Sequence, residues 1–459
     1  MRVVLALLAA LVVAPSAQAA PAIREFPLPT AMAQPQDIVQ GLDGNMWFTE
    51  RGANKIGRIS GSDPGAVTEF PIAAMGSAPD IIVVGPDAAL WYTELSSNSI
   101  GRMPPGNPAG VTRFTGLGLV SPRGIAVGPD GNLWVVDADA ASPDVQRVSP
   151  AGAAVGTPIP LPPGFNPRGI ARGADGNMWV ANFSTPGSVA RVTTGATPTA
   201  TNFPVPAGSP IDLIRGGDGN IWYAGQGTTV GRVTPSGGAT AFTSKGVDPF
   251  GVTLGPDGAV WFAEFQANAV GRVDRAGTTS HVTGMTAGAG PRYVSAGPDG
   301  TIWFTEETGN RVGRVTGIDL GRGAPGSPAD RTRPGFGPVR LSSRRVRAGR
   351  TITVRYSLTE PATVTLFLER VLAGRKVGRR CVAPKRSNRA RRRCARYRRV
   401  KPTLTFAAQP AGKGKILLTP RVKPGRYRLN LGARDAAGNR SKTFVARIEV
   451  LRRKRARGF

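Results

Sequence analysis

The sequence predicts an all-β protein: a seven-bladed β-propeller followed by a small Ig-like β-sandwich. The first observation behind this is that all 7 tryptophans of the 459 residues stand in one recurring phrase. It reads DGNMWFTE at Trp47, DAALWYTE at Trp91, DGNLWVVD at Trp134, DGNMWVAN at Trp179, DGNIWYAG at Trp222, DGAVWFAE at Trp261 and DGTIWFTE at Trp303. The second is the spacing, 39 to 45 residues from one Trp to the next, which with hairpin chemistry in each copy signals one propeller blade per repeat. The third is a change of pattern after residue 317, where the Trp phrase stops and short alternating strands begin.

Residues 1–19 read as an export signal. Arg2 precedes an apolar run from Val3 to Ala14, Pro15 breaks it, and Ala17-Gln18-Ala19 offers small residues before a cut. That run is too short to span a bilayer, so the expectation is a secreted, soluble, monomeric protein beginning near Ala20. The propeller is expected over 20–317. In its first repeat QPQDIVQGL alternates as an inner strand, Asp43-Gly44 forms a tight hairpin, NMWFTE is the second strand, KIGRIS the third and AVTEFPI the outer one. The phrase EFPLP at 25–29 precedes the first Trp repeat, while the seventh repeat lacks an outer strand after GRVTG. Residues 22–29 are therefore expected to complete the seventh blade and close the ring, which removes exposed sheet edges.

Features present in every blade are read as scaffold. The Asp-Gly pairs could be metal ligands, but a turn that needs positive φ explains them better, since glycine tolerates that conformation and Asp bonds its own backbone. The Arg after each Trp (Arg58, Arg102, Arg147, Arg191, Arg232, Arg272, Arg314) recurs seven times, and the tryptophans are expected between blades. Function belongs where the repeats differ. The loop before each inner strand and the loop after each WFTE strand share the face around the channel mouth. After the inner-strand proline the residue varies as Gln36, Asp80, Arg123, Arg168, Ile211, Phe250 and Arg292; at the end of the second strand it varies as Glu50, Glu94, Asp137, Asn182, Gly225, Glu264 and Glu306. This predicts a rim on which Arg123, Arg168, Arg292 and Asp80 hold a small polar ligand and an acidic arc of Glu264, Glu306, Glu50 and Glu94 coordinates a hard cation such as Mg²⁺. The alternative is a solvated rim of paired charges.

The phrases GPDGxxWFTE, NxIGRI, PxGI and TEFPLP, over residues 21–317, closely resemble the virginiamycin B lyase (streptogramin lyase) family. The resemblance implies a seven-bladed propeller that linearises cyclic depsipeptide antibiotics by metal-assisted elimination at the ester bond. It also implies a catalytic His in a Glu-Pro-His-Gly-Ile stretch opening the last blade, a second His in the Pro-His motif of the blade before, and a metal-binding Glu just after the last Trp. In this sequence the last blade opens Gly290-Pro291-Arg292-Tyr293-Val294, and the blade before opens Asp248-Pro249-Phe250-Gly251-Val252. Arg292 and Phe250 stand where the resemblance places the histidines, and Glu306 is the remaining carry-over as a catalytic residue. Elimination needs a general base poised near neutrality, and a guanidinium stays protonated. The single histidine, His281, lies in an outer-strand phrase away from the channel.

Residues 318–338 are rich in Gly, Pro and Arg without periodicity and read as a linker. Six or so strands over 339–451 predict the sandwich, and Pro424-Gly425-Arg426-Tyr427-Arg428-Leu429 followed by Asp435-Ala436-Ala437-Gly438-Asn439 resembles the closing strands of bacterial Ig-like surface modules. The 2 cysteines, Cys381 and Cys394, read as a local disulfide contributing on the order of 3 kcal/mol in an exported chain, with free thiols or a two-ligand metal site as alternatives. From residue 335 onward 36 Lys and Arg face 4 Asp and Glu, while the preceding residues carry 23 against 25. The basic excess thus belongs to the C-terminal part, including a tail at 452–459. Thin aromatic content and an export signal argue against nucleic acid as partner and toward anionic cell-wall polymers, headgroups or acidic polysaccharides, though a GC-rich genome would also enrich arginine. Two functions follow: an exported ligand-binding or scaffold propeller tethered to the cell envelope, or a C–O lyase using carboxylates and Mg²⁺.

Overall fold

A computed structural model of the chain describes residues 20–319, apart from 63 and 73–75, and residues 333–452, apart from 360–361, 378–379, 410–411, 421 and 435–439. The export signal, most of the linker, the Asp435–Asn439 phrase and nearly all of the basic tail lie outside the described residues.

Seven four-stranded antiparallel sheets form the propeller. Blade one runs Pro35–Gln40, Asn45–Glu50, Lys55–Ser60 and Thr68–Pro71, from the axis outward. Its hairpin turns at Asp43-Gly44, where Gly44 has φ 84° and so adopts the conformation that the Asp-Gly pair favours. Blade seven takes Pro291–Ala296, Ile302–Glu306 and Arg311–Thr316 from the end of the propeller sequence and Ala22–Pro27 from its beginning. Ala22 pairs with Thr316 and Pro27 with Arg311, so backbone hydrogen bonds join the two ends of the ring.

Seven apolar clusters fill the gaps between blades. Trp47 of blade one packs with Ile82, Leu90 and Tyr92 of blade two, and Trp303 of blade seven packs with Met46 and Phe48 of blade one. Each tryptophan is at most 2 % exposed, and burying one is worth up to several kcal/mol, roughly 25 cal/mol per Å² over 150 to 250 Å². The repeated Asp and Arg hold these rings in place. The Trp47 indole N–H donates to Asp43 Oδ1 at 3.1 Å, and the Arg58 guanidinium lies over both Trp47 and the outer-strand Phe70, at 5.4 and 5.0 Å from their centroids. In six blades the aspartate is therefore both turn former and indole acceptor, placed at the hairpin rather than in a metal site, while the Trp303 indole N–H of blade seven has no such partner.

The C-terminal part is two sheets around one core. One sheet contains Arg340–Leu341, Ile352–Leu358 and Gly412–Leu418; the other is built on Ala362–Val377, Gly425–Arg434 and Phe444–Leu451. Alternation places Val354, Tyr356 and Ile416 of the first against Leu366, Leu429 and Ile448 of the second. Ala362–Val377 continues past this core as a ribbon paired with Arg393–Gln409, closed near its end by the Cys381–Cys394 disulfide.

Candidate ligand site at the propeller mouth

Every inner strand begins with a buried proline opposite the last residue of the second strand, as in Pro35 with Glu50, Pro122 with Asp137 and Pro291 with Glu306. Directly after that proline the register slips in all seven blades. A slip of this kind re-aims the side chain that follows it. Six of the seven residues so placed, Asp80, Arg123, Arg168, Ile211, Phe250 and Arg292, line a single cavity of about 160 Å³ at the mouth. The sequence-predicted rim residues Arg123, Arg168, Arg292 and Asp80 are thereby brought together.

Sequence reasoning missed four further members of this wall. Arg51 comes from the loop after the second strand of blade one and donates to Asp80. Phe183 lies under Arg168, 5.1 Å from guanidinium to ring centroid. Tyr293 and Asp212 follow the varying position by one residue. Asp212 accepts from the Val252 N–H at 2.9 Å, and desolvation pushes its carboxyl up to about 6. Arg292 carries an ion pair to Glu307 at 3.1 Å, and its guanidinium rests 3.6 Å from the centroid of Phe250. Phe250 is in turn edge-on to Tyr293, with centroids 6.1 Å apart. Among the described residues neither Arg123 nor Arg168 forms an ion pair with a carboxylate. Burial lowers both below the ordinary arginine value; Asp80 partly offsets this at Arg123, Arg51 and Arg292 add to it there, and Arg123 adds to it at Arg168.

The acidic arc is a correction. Glu50, Glu94, Glu264 and Glu306 stand at the end of the second strand but do not face the mouth; each is at most 1 % exposed. Strand alternation puts Glu50 on the face of Phe48, turned outward over Gly57 of the third strand. The other three have partners in their own blades. Glu94 accepts from Arg113 at 2.7 Å and Ser99 at 2.6 Å, Glu264 meets His281 at 3.3 Å and the Gly246 N–H at 2.8 Å, and Glu306 lies 3.6 Å from Arg311. Among the described residues no three His, Cys, Asp or Glu side chains gather as metal ligands. The four glutamates therefore do not fit a Mg²⁺ site, and Glu306 is not placed at the mouth as a catalytic group. Burial, reinforced by Glu69 and Glu25 respectively, pushes Glu50 and Glu306 up to about 8.

A family model described as the virginiamycin B lyase family matches residues 17–165 and 157–319. The chain belongs to this family. A streptogramin B lyase structure superposes with a TM-score of 0.59 at 26 % identity, over 64 % of this chain and 97 % of that one. The virginiamycin B lyase from Staphylococcus aureus gives the same TM-score and identity over 65 % of this chain and 99 % of its own, as does a catalytically inactive form of it with quinupristin. The virginiamycin B lyase likeness is thus to the propeller. Among the described residues no helix is long and apolar enough to cross a membrane.

Proposed function

We propose that this family member is an exported binding propeller that holds a small polar ligand at its axial mouth, without the eliminating chemistry the family resemblance implies. The observation that carries this reading is the contact of Arg292 with Phe250, 3.6 Å from guanidinium to ring centroid. These are the two positions to which the resemblance assigns histidines, and they are engaged with one another. Neither side chain can take a proton from carbon near neutral pH, because a guanidinium stays protonated and a phenyl ring has no basic atom. The outward-facing glutamates supply no substitute base at the cavity and no cluster for a metal, and Asp212, the wall carboxyl lifted toward neutrality, is engaged by the Val252 N–H.

The reading also assigns the cationic C-terminal part to attachment at an anionic envelope surface of wall polymers or headgroups. It is supported by the 36 Lys and Arg against 4 acids after residue 334, and by like charges directly opposed across the ribbon, Arg370 with Arg398 and Arg375 with Arg393. Such pairs repel, and an anionic surface relieves them. The extracytoplasmic location rests on the sequence of residues 1–19.

The deciding experiment incubates the mature protein with a type B streptogramin, with and without Mg²⁺. Elimination leaves the mass unchanged, so the product is sought by chromatographic retention and fragmentation. No linearised product is expected at high protein concentration; turnover that disappears in Glu306→Gln would overturn the proposal. Envelope attachment is checked by release of the full chain from cell-wall fractions as salt rises, and salt-independent retention would refute the electrostatic account.

A further inference from the structure

We propose that the mouth is an oxyanion site, in which Arg123 and Arg168 grip a carboxylate or phosphate group of a ligand whose ring-sized body lies against Phe250 and Tyr293. This rests on the binding reading above and adds the ligand's chemical class.

The argument starts from charge. Four guanidinium groups, on Arg51, Arg123, Arg168 and Arg292, line one cavity of about 160 Å³. Two are answered, Arg51 by Asp80 and Arg292 by Glu307. Asp212, the remaining carboxyl on the wall, is occupied by the Val252 N–H. Arg123 and Arg168 are left half-buried without an ion pair to a carboxylate among the described residues; burial lowers both, and Asp80, already paired with Arg51, offsets this only in part against the neighbouring cations. Taking charges out of water without a counter-charge is costly, and an incoming anion removes that cost.

Geometry narrows the class. Arg123 and Arg168 occupy the same position in adjacent blades, on inner strands so close that a Cβ on Gly124 would fall 2.4 Å from the Arg168 carbonyl oxygen. Both side chains line the same cavity, and a planar guanidinium fork matches the oxygens of a carboxylate or phosphate better than a point charge does. The cavity is close to the roughly 150 Å³ that accepts a benzene-sized guest in an engineered apolar cavity, so the part of the ligand held inside it is about one ring. Phe250 and Tyr293 offer that ring aromatic surface on the side of the cavity occupied by Arg292.

The test titrates the full chain by calorimetry with benzoate, phenyl phosphate and, as a neutral analogue, benzamide, in parallel with the double variant Arg123→Gln/Arg168→Gln. At least one anion is expected to bind saturably, with affinity falling about tenfold or more in the double variant and for benzamide, as expected for lost charge-assisted hydrogen bonds. Benzoate against phenyl phosphate distinguishes a carboxylate from a phosphate ligand. Protection of Arg123 and Arg168 from phenylglyoxal by the bound anion, read by peptide mass spectrometry, supports the same conclusion in the unaltered protein. Anion binding that survives intact in the double variant belongs to the C-terminal arginines and overturns the inference, as does absence of protection. Benzamide binding as tightly as the anions also overturns it while leaving the binding reading in place; streptogramin turnover overturns the binding reading instead.

Discussion

Glu50 and Glu94 occupy the same place in successive repeats, yet their replacement by glutamine is expected to move stability in opposite directions. The Glu50 carboxyl is fully buried with neither oxygen hydrogen-bonded, and burial together with Glu69 lifts it from 4.5 to about 8. Below pH 4.5 the group is neutral in both folded and unfolded chains and costs nothing. Between 4.5 and about 8 the unfolded chain gives up the proton while the folded one keeps it, so unfolding gains up to about 1.4 kcal/mol per pH unit. Over 3.5 units the penalty reaches an upper bound of about 5 kcal/mol and then levels off. Glu50→Gln removes it, so the variant's advantage over the parent should grow from pH 5 to pH 8. Glu94→Gln instead takes a carboxylate from Arg113 and Ser99, and should cost about 1.5 to 3 kcal/mol at pH 7. Urea unfolding followed by tryptophan fluorescence reads the propeller alone, because all 7 tryptophans lie between residues 47 and 303. A Glu50→Gln difference that stays flat between pH 5 and 8 would show that this carboxyl is ionised in the folded protein and refute the buried-neutral account.

Two further outcomes test the scaffold. Gly57→Ala would place a methyl 2.1 Å from Phe48 Cε2, so the overpacked blade should lose about 1 to 3 kcal/mol in the same fluorescence assay, and an unchanged midpoint would mean the ring has room to move. Replacing Cys381 and Cys394 together by serine should lower the stability of the C-terminal sheets by about 3 kcal/mol while leaving the tryptophan-monitored transition in place; a shift of both would show that the two parts unfold together.

The ring was legible because its determinants repeat. The Trp period, the Asp-Gly turn and the orphan outer-strand phrase each name a structural element, and they combine through local rules of hairpin formation and burial. The mouth was half legible. The position after the inner-strand proline could be found by aligning repeats, and six of its seven residues do line the cavity. The glutamates were misplaced because position along a strand was taken for direction. Glu50 lies two residues after Phe48 and so shares its buried face, a parity visible in NMWFTE itself. Arg51 and Phe183 directly follow Glu50 and Asn182, in the loop already placed on the mouth face, so the same alignment read one residue further would have found them.

On the binding proposal, the separation of most of the scaffold from the mouth lets the family's fold persist with a different mouth chemistry. Ring stability resides largely in the tryptophans, the aspartates that accept from their indoles and the stacked arginines, none of which lines the cavity, whereas Ile125 and Ile170 belong both to a tryptophan cluster and to the cavity wall. The side chain after the bulged proline can therefore be exchanged at small cost to folding, but a new pair must still satisfy itself at the mouth. Arg292 and Phe250 do so: the guanidinium gains a ring face worth about 0.5 to 2 kcal/mol and keeps Glu307 as counter-charge. On the binding proposal, this packing ties up one cation and presents one aromatic surface, leaving Arg123 and Arg168 as the unsatisfied groups. The chemistry of the mouth then follows from which arginines have partners, more than from how many there are.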